Sequence, residues 1–404
     1  MKLNLRFLLP YFLIIFIILG DIFGNSNSIM KYSDEISFVI FTIVFFLRSF
    51  KSSEMLSRLS LRILLLCVLL FLIGFFSCFL FKIRTAYFPI LLDAVAVLKI
   101  PICCIGFYSL IDKNQCIKIL NRLKPIAKGF LIISFIFAII SLFFDIGMGG
   151  EFRYGIHSFN FIYDYTHKYA MMVLFSLIIL SFSYKDKKGF LFYCIIGFIE
   201  LLLTTKGTSI ITALAMIFIY YYSKNNMKFS IRTIIPLLII AIIFGGYQID
   251  NYLLNSVAPR TVFIRYGIST CKNYFPLGSG FATFGSDMAA KYYSPLYYQY
   301  GFQYMNGMTP TNPAFLNDNY WPMILGQFGI VGITIVLYIL YQLFKLIQNL
   351  KDNYKSKFIV LSSYFYLLLS SLGASIFTTS TTIVLLFGIL LIIKIDSKGA
   401  ENNE

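Results

Sequence analysis

A carboxylate, two amides and the chain's only tryptophan gather in Leu316-Asn317-Asp318-Asn319-Tyr320-Trp321-Pro322, just ahead of Gly329-Ile330-Val331-Gly332 and an apolar stretch. Where most of a chain is apolar, a polar cluster at the edge of an apolar run has the makings of a site. An aspartate placed there can accept the proton of an attacking hydroxyl, provided it stays ionised and within hydrogen-bond reach. It can equally cap the helix that follows. Asn319 and Trp321 suit either the orientation of a sugar or the anchoring of the helix end. Four cations join the inventory: Arg153, Lys206, Arg260 and Arg265. Guanidinium forks grip phosphate oxygens in pairs and an ammonium acts as a point charge, so together they suit a diphosphate. Each arginine alone could instead pair with a local acid or reach lipid phosphate. Lys206 stands in Leu203-Thr204-Thr205-Lys206-Gly207-Thr208, a polar break where backbone donors of the next helix would add to anion binding, or else a plain reverse turn. The run from Tyr292 to Tyr304 is rich in tyrosines, and within it Tyr297 and Tyr298 are candidate sugar contacts. Tyrosine is also common at membrane interfaces and in packed loops. Pro276-Leu277-Gly278-Ser279-Gly280 lacks the lysine of a phosphate-binding loop and reads as a tight turn.

Most of the remaining chain must position these groups from within a membrane. Of 404 residues, 58% are hydrophobic and 13% charged, the balance of a polytopic membrane protein. We expect an all-α fold and a single unit over 1–404. About twelve spans fall near 7–23, 36–50, 63–81, 87–111, 129–146, 167–184, 189–205, 207–223, 233–249, 319–343, 358–373 and 375–395. A long loop over 250–318, between the ninth and tenth spans, should carry one or two short helices, since long ordered loops are uncommon without a function.

Lys and Arg collect in one set of loops, among them Arg58, Arg62, Lys113, Arg122, Lys128, Lys188, Lys224, Lys345 and Lys355, and near both ends of the chain. By the positive-inside rule that side is cytoplasmic, both termini included, and the long loop lies outside. The same bias accounts for most of the +16 net charge, so nucleic acid is not an expected partner. The first apolar run exceeds signal-peptide length and is expected to remain as a span. Six of the seven cysteines lie in or beside apolar runs and only Cys271 falls in the long loop, so no disulfide is expected there. His157 and His167 lack a ligand pattern, and neither a metal nor another cofactor is expected. Asp93, Lys99 and Glu200 are the chief charges inside spans; Asp93 and Lys99, six apart, do not share a helical face and should find partners on other spans.

From about Arg153 to Leu340 the sequence resembles the Wzy-type O-antigen and capsule polymerases, and more distantly the O-antigen ligases. Four motifs in order carry the resemblance. Arg153-Tyr154-Gly155 matches an Arg-bearing outer loop, and Thr205-Lys206-Gly207-Thr208 matches a Ser-Arg-Gly turn before a helix. Arg260 or Arg265, followed by Pro276-Leu277-Gly278-Ser279-Gly280-Phe281, is similar to the Arg-then-Pro-Leu-x-Gly-x-Gly-Phe segment of the family's long loop. Asp318-Asn319, nine residues, then Gly329-x-x-Gly332 has the spacing of the ligases' His-Asn and Gly-x-x-Gly. Lys206 departs from the usual Arg. Asp318 departs from the ligases' His, which favours a polymerase over a ligase.

The resemblance implies an inverting, metal-independent membrane glycosyltransferase that joins undecaprenyl-diphosphate-linked oligosaccharides on the outer side of the bacterial cytoplasmic membrane. It assigns Arg153, Lys206, Arg260 and Arg265 to the donor diphosphate and Asp318 to the acceptor hydroxyl, and it leaves room for a chain-length regulator as partner. The alternatives are a ligase acting on a lipid A core and a flippase of lipid-linked units. A flippase should have short loops and its charges inside the bundle.

Overall fold

The computed structural model describes residues 5–24, 26–49, 58–184, 187–225, 235, 236, 239, 242, 258–350 and 353–396. It is mostly helical, with α1 (Leu5–Phe23), α2 (Ser33–Ser49), α3 (Arg58–Phe81), α4 (Tyr87–Leu110) and α5 (Lys113–Ile140) in its first part. A hairpin of β1 (Gly149–Arg153) and β2 (Ile156–Phe159) leads into α6 (Thr166–Ser183), α7 (Lys187–Leu203) and α8 (Gly207–Lys224). After α9 (Pro259–Asn273) come two short helices, α10 (Asp287–Lys291) and α11 (Pro295–Gln299), then α12 (Tyr320–Gln348), α13 (Tyr354–Ser371) and α14 (Ser380–Asp396). Five of these helices, α3, α4, α5, α6 and α12, are long and apolar enough to cross a membrane. The expected span at 233–249 lies almost wholly outside the described residues.

Two helices form the centre. In α14 every side chain from Thr381 to Ile393 is buried, and in α6 every one from Tyr169 to Ser181. Both sequences are apolar on all faces, as suits a helix enclosed by its neighbours or by lipid. Around them α13 packs on α8, α5 on α6, and α2 on α4. At the periphery α3 exposes Leu65, Leu69, Leu72, Phe76 and Phe79 along its length, an apolar surface that water would not favour.

One expected loop is helical. Residues 112–128 were expected to join spans, yet α5 begins at Lys113, because Asp112 and Gln115 form a reciprocal capping box and the cations that follow take the polar side of a continuing helix. Lysines at this basic end also hold helix C-termini together. Lys355 donates to the Tyr184 carbonyl at 3.1 Å and Lys357 to the Gln348 carbonyl at 3.1 Å, each placing positive charge at the negative end of a helix dipole.

Charges inside the bundle are matched across helices. Lys99 of α4 pairs with Asp34 of α2 and, at 3.4 Å, with Glu35. The Ser134 hydroxyl of α5 donates to Glu200 of α7. Lys168 of α6 reaches Asp21 of α1 at 3.4 Å. Asp93 does not pair with a cation; its Oδ2 accepts the Ala282 backbone N–H at 2.6 Å.

Residues 258–319 carry more structure than one or two short helices. They enclose a small core of Val262, Phe263, Phe284, Leu296, Tyr297, Phe302, Met308 and Leu316, and α9 lies along α12. The glycine-rich turn after α9 plugs into a break in α12. Gly329 interrupts that helix at φ 61°, ψ −156°, and the carbonyls so released are taken up: Ser279 N–H donates to Gly326 O and Gly280 N–H to Gln327 O, both at 2.9 Å. A Cβ on Gly329 would come within 2.1 Å of the Pro276 carbonyl oxygen, so only glycine fits this approach. The Gln327 side chain completes the joint by donating to Phe284 O at 2.9 Å and Ser286 Oγ at 3.0 Å.

Candidate functional site

Among the helices that begin at the end of the bundle that carries this loop structure, the four next to the expected site residues have no side-chain cap at their starts. Their N-caps are Tyr165, Lys206, Ala258 and Asn319. Each start leaves backbone N–H groups unsatisfied and presents the positive end of a helix dipole. Asn319, not Asp318, holds the N-cap position of α12, so the plain helix-cap reading of Asp318 does not hold.

The hinge between α7 and α8 explains how Lys206 is presented. Thr204 is held by its hydroxyl on Leu201 O at 2.7 Å, and Thr205 takes φ 50°, a left-handed conformation unusual for a β-branched residue. That twist turns the half-buried Lys206 toward the other helix starts. Its Nζ lies 3.5 Å from His167 Nδ1, in the first turn of α6. Burial lowers the Lys206 ammonium to about 8, with Arg260 and Arg153 pushing the same way and Asp318 and Glu151 opposing.

Asp318 is fixed by its neighbours. The Asn317 amide donates to Asp287, and the Asn317 carbonyl accepts the Ser375 hydroxyl at 2.6 Å. On the other side the Asn319 side chain is 3% exposed, yet its Nδ2 has no partner among the described residues. Burial raises the Asp318 carboxyl above the usual range, and Arg260 and Lys206 hold the rise back. Mutual influence of this kind puts Asp318, Lys206 and Arg260 in one electrostatic neighbourhood. The Arg260 guanidinium also lies against Gly373, where an added Cβ would sit 3.6 Å from Nη1.

Further buried polar atoms mark the same region. Among the described residues Thr205 Oγ1 has no hydrogen-bond partner, while Thr208 and Ser209 at the head of α8 and Ser370 at the tail of α13 gather their hydroxyls around the buried Tyr366 hydroxyl. Buried polar groups are normally satisfied, so Thr205 Oγ1 and Asn319 Nδ2, left over beside uncapped helix starts and two cations, are what an anionic, hydroxyl-bearing ligand would complete.

The remaining expected site residues divide. Arg153 closes β1 beside the Tyr154-Gly155 turn, where both residues have positive φ, and it pairs with Glu151, its Nε 2.9 Å from Oε2. It stands at the rim, near enough to act on Lys206. Arg265 does not join the group: it lies five residues along α9 from Arg260, about 140° around the helix at 3.6 residues per turn, and is exposed. Trp321 anchors the helix end by donating from Nε1 to Ser371 Oγ at 3.0 Å. Tyr297 is a correction. It is fully buried in the loop core and its hydroxyl accepts the Gly285 N–H at 2.8 Å, so it cannot present a face to sugar. Tyr298 is 54% exposed and keeps that option.

Sequence reasoning missed His167 and the hydroxyls of Thr205, Thr208, Ser209 and Ser370. No spacing links them, because they meet only where α6, α8 and α13 end together. No family model matches this chain, and no curated protein does.

Proposed function

We propose that the protein is a membrane glycosyltransferase of the Wzy polymerase type, joining undecaprenyl-diphosphate-linked oligosaccharide units on the outer side of the bacterial cytoplasmic membrane, with about twelve spans and both termini inside. The observation that carries this reading is the company Asp318 keeps. A tethered carboxylate shares one neighbourhood with Lys206 and Arg260, among uncapped helix starts and beside the buried polar atoms Thr205 Oγ1 and Asn319 Nδ2.

In this reading Lys206 and Arg260 hold the donor diphosphate, Arg153 serves at the rim, and the N-termini of α8 and α12 add backbone donors. Asp318 takes the proton of the acceptor hydroxyl as its oxygen bonds to the anomeric carbon. The anomeric carbon–oxygen bond to the diphosphate breaks with inversion, and the leaving group carries away the electron pair. Preorganised cations stabilise that developing charge, commonly the largest single contribution to such a step. Asn319, with its unpartnered Nδ2, and the exposed Tyr298 remain the candidates for contact with the sugars.

The test is reconstitution with the lipid-linked repeat unit of the host, followed by gel analysis of the glycan. A ladder from the native protein that disappears in Asp318→Ala supports both the activity and the base. A ladder that persists in the variant removes Asp318 from the chemistry. Transfer of the lipid-linked unit across the bilayer without any ladder overturns the reading in favour of a flippase.

A further inference from the structure

Two tyrosines at the rim of the site fill positions that their own local structure would give to another residue. Tyr154 is the first central residue of the β1–β2 turn, where Arg153 pairs with Ile156 and Tyr154 and Gly155 take φ 54° and 84°. Positive φ at both positions marks a type I′ turn, for which Asn-Gly is the favoured pair, and a bulky ring there is a strained choice. Tyr165 is the N-cap of α6, where Ser, Thr, Asn or Asp would accept a backbone N–H; its side chain makes no cap bond. Neither ring recovers the loss by burial, since Tyr154 is 67% and Tyr165 60% exposed.

Both stand beside the cations. The Tyr165 ring stacks on that of His167, with centroids 5.4 Å apart and planes at 20°, and His167 Nδ1 lies 3.5 Å from Lys206 Nζ. Lys168 Nζ, 5.9 Å from the Tyr165 centroid, steadies the ring further. The hairpin is fixed to the same helix at its base, where the buried Phe159 packs edge-on against Tyr169 at 5.3 Å, one turn beyond Tyr165. At its other end Tyr154 adjoins Arg153, which acts on Lys206. Two exposed rings on two different elements therefore flank one lysine. Anchoring at the membrane boundary is a common use of exposed tyrosine, but it gives no reason to place the rings at these two positions beside Lys206.

We propose that Tyr154 and Tyr165 form a wall that binds the first sugar rings of the lipid-linked glycan, next to the diphosphate at Lys206. Resting on the glycosyltransferase reading, this wall adds recognition of the sugar to that of the phosphate. The face of an aromatic ring is its negative side, and the C–H face of a pyranose is apolar and weakly positive, so the two stack. Cations alone would take any lipid diphosphate. The rings make the site select one that carries a glycan.

The experiment uses the full protein in detergent and two probes, the lipid-linked repeat unit of the host and sugar-free undecaprenyl diphosphate. Affinities are read by microscale thermophoresis beside the unfolding temperature. The native protein is expected to bind the glycan-bearing lipid more tightly. Tyr154→Asn and Tyr165→Asn should each weaken that binding about tenfold, equivalent to about 1.4 kcal/mol, and leave the sugar-free lipid unaffected. Their unfolding temperatures should equal or exceed the native value, because Asn suits both positions. Tyr154→Phe and Tyr165→Phe should restore the preference. Any of four results overturns the proposal and leaves the glycosyltransferase reading standing: Asn variants that bind as the native protein does, an equal loss for both lipids, a lowered unfolding temperature, or Phe variants as weak as Asn. Equal affinity of the native protein for the two lipids overturns it without relying on any variant. If the native protein binds neither lipid, the glycosyltransferase reading itself falls and takes the sugar wall with it.

Discussion

Lys206→Met should stabilise the protein while abolishing polymer formation. Burial brings the lysine from its ordinary 10.5 to about 8, which at about 1.36 kcal/mol per pH unit sets an upper limit of about 3 kcal/mol on the penalty of keeping it charged. The side chain is half-buried, so solvent screening discounts this to about 1–2 kcal/mol. Because the folded-state value lies below the unfolded one, the penalty is present in full below about pH 8 and fades as pH rises toward 10.5. The gap between variant and native protein should therefore be widest near pH 7, where it corresponds to about 1–4 °C in unfolding temperature, and should close across that window. Loss of one preorganised cation should lower turnover by about a hundredfold or more, and Lys206→Arg should recover part of it. A variant that is less stable than the native protein at pH 7, or one that polymerises normally, would refute the assignment of Lys206 as a charge held ready for an anion.

Other outcomes follow from the same geometry. Activity should fall on the acid side through a midpoint above the usual carboxylate range, since burial raises Asp318, and Arg260→Gln should move that midpoint to higher pH by removing a cation that now holds it down; a downward move in the pH–rate profile contradicts the placement. Gly329→Ala should release the glycine-rich turn from α12, combining about 1–3 kcal/mol of backbone strain with a direct clash on Pro276, and limited proteolysis should then cut within 275–285 in the variant but not in the native protein. Lys99→Met should cost about 3–5 kcal/mol by leaving Asp34 buried without its cation, and the double variant with Asp34→Asn should regain most of that in thermal unfolding; no recovery means the pair is not what holds α2 to α4.

What the sequence disclosed follows the physics of each signal. Apolar runs are imposed by the environment a helix must occupy, so the helices beneath the expected spans could be read directly, α6 and α14 among them. The start of α5 was misplaced because hydropathy marks where a helix becomes apolar, not where it begins, and the capping box at Asp112 and Gln115 lies in a charged stretch. Asp318, Lys206 and Arg260 stood out as candidates because a charge beside an apolar run needs a reason, and the fold brings these three into mutual influence. Tyr297 was misjudged on the same logic: its residue type suits sugar, but the 258–319 segment had its own core to fill and used that ring for it. The break at Gly329 shows the limit most clearly. Gly329 and Gly278 stand in motifs visible in the sequence, but 51 positions apart nothing there pairs them, and their meaning lies in one contact between two backbones. That contact fixes the turn after α9 against α12, and with Gly267 against Pro322 the two helices run side by side with their starts at one end, which is where Arg260 and Asp318 stand. The charges announce a site in the sequence; the glycines that carry no charge at all decide whether those charges can meet.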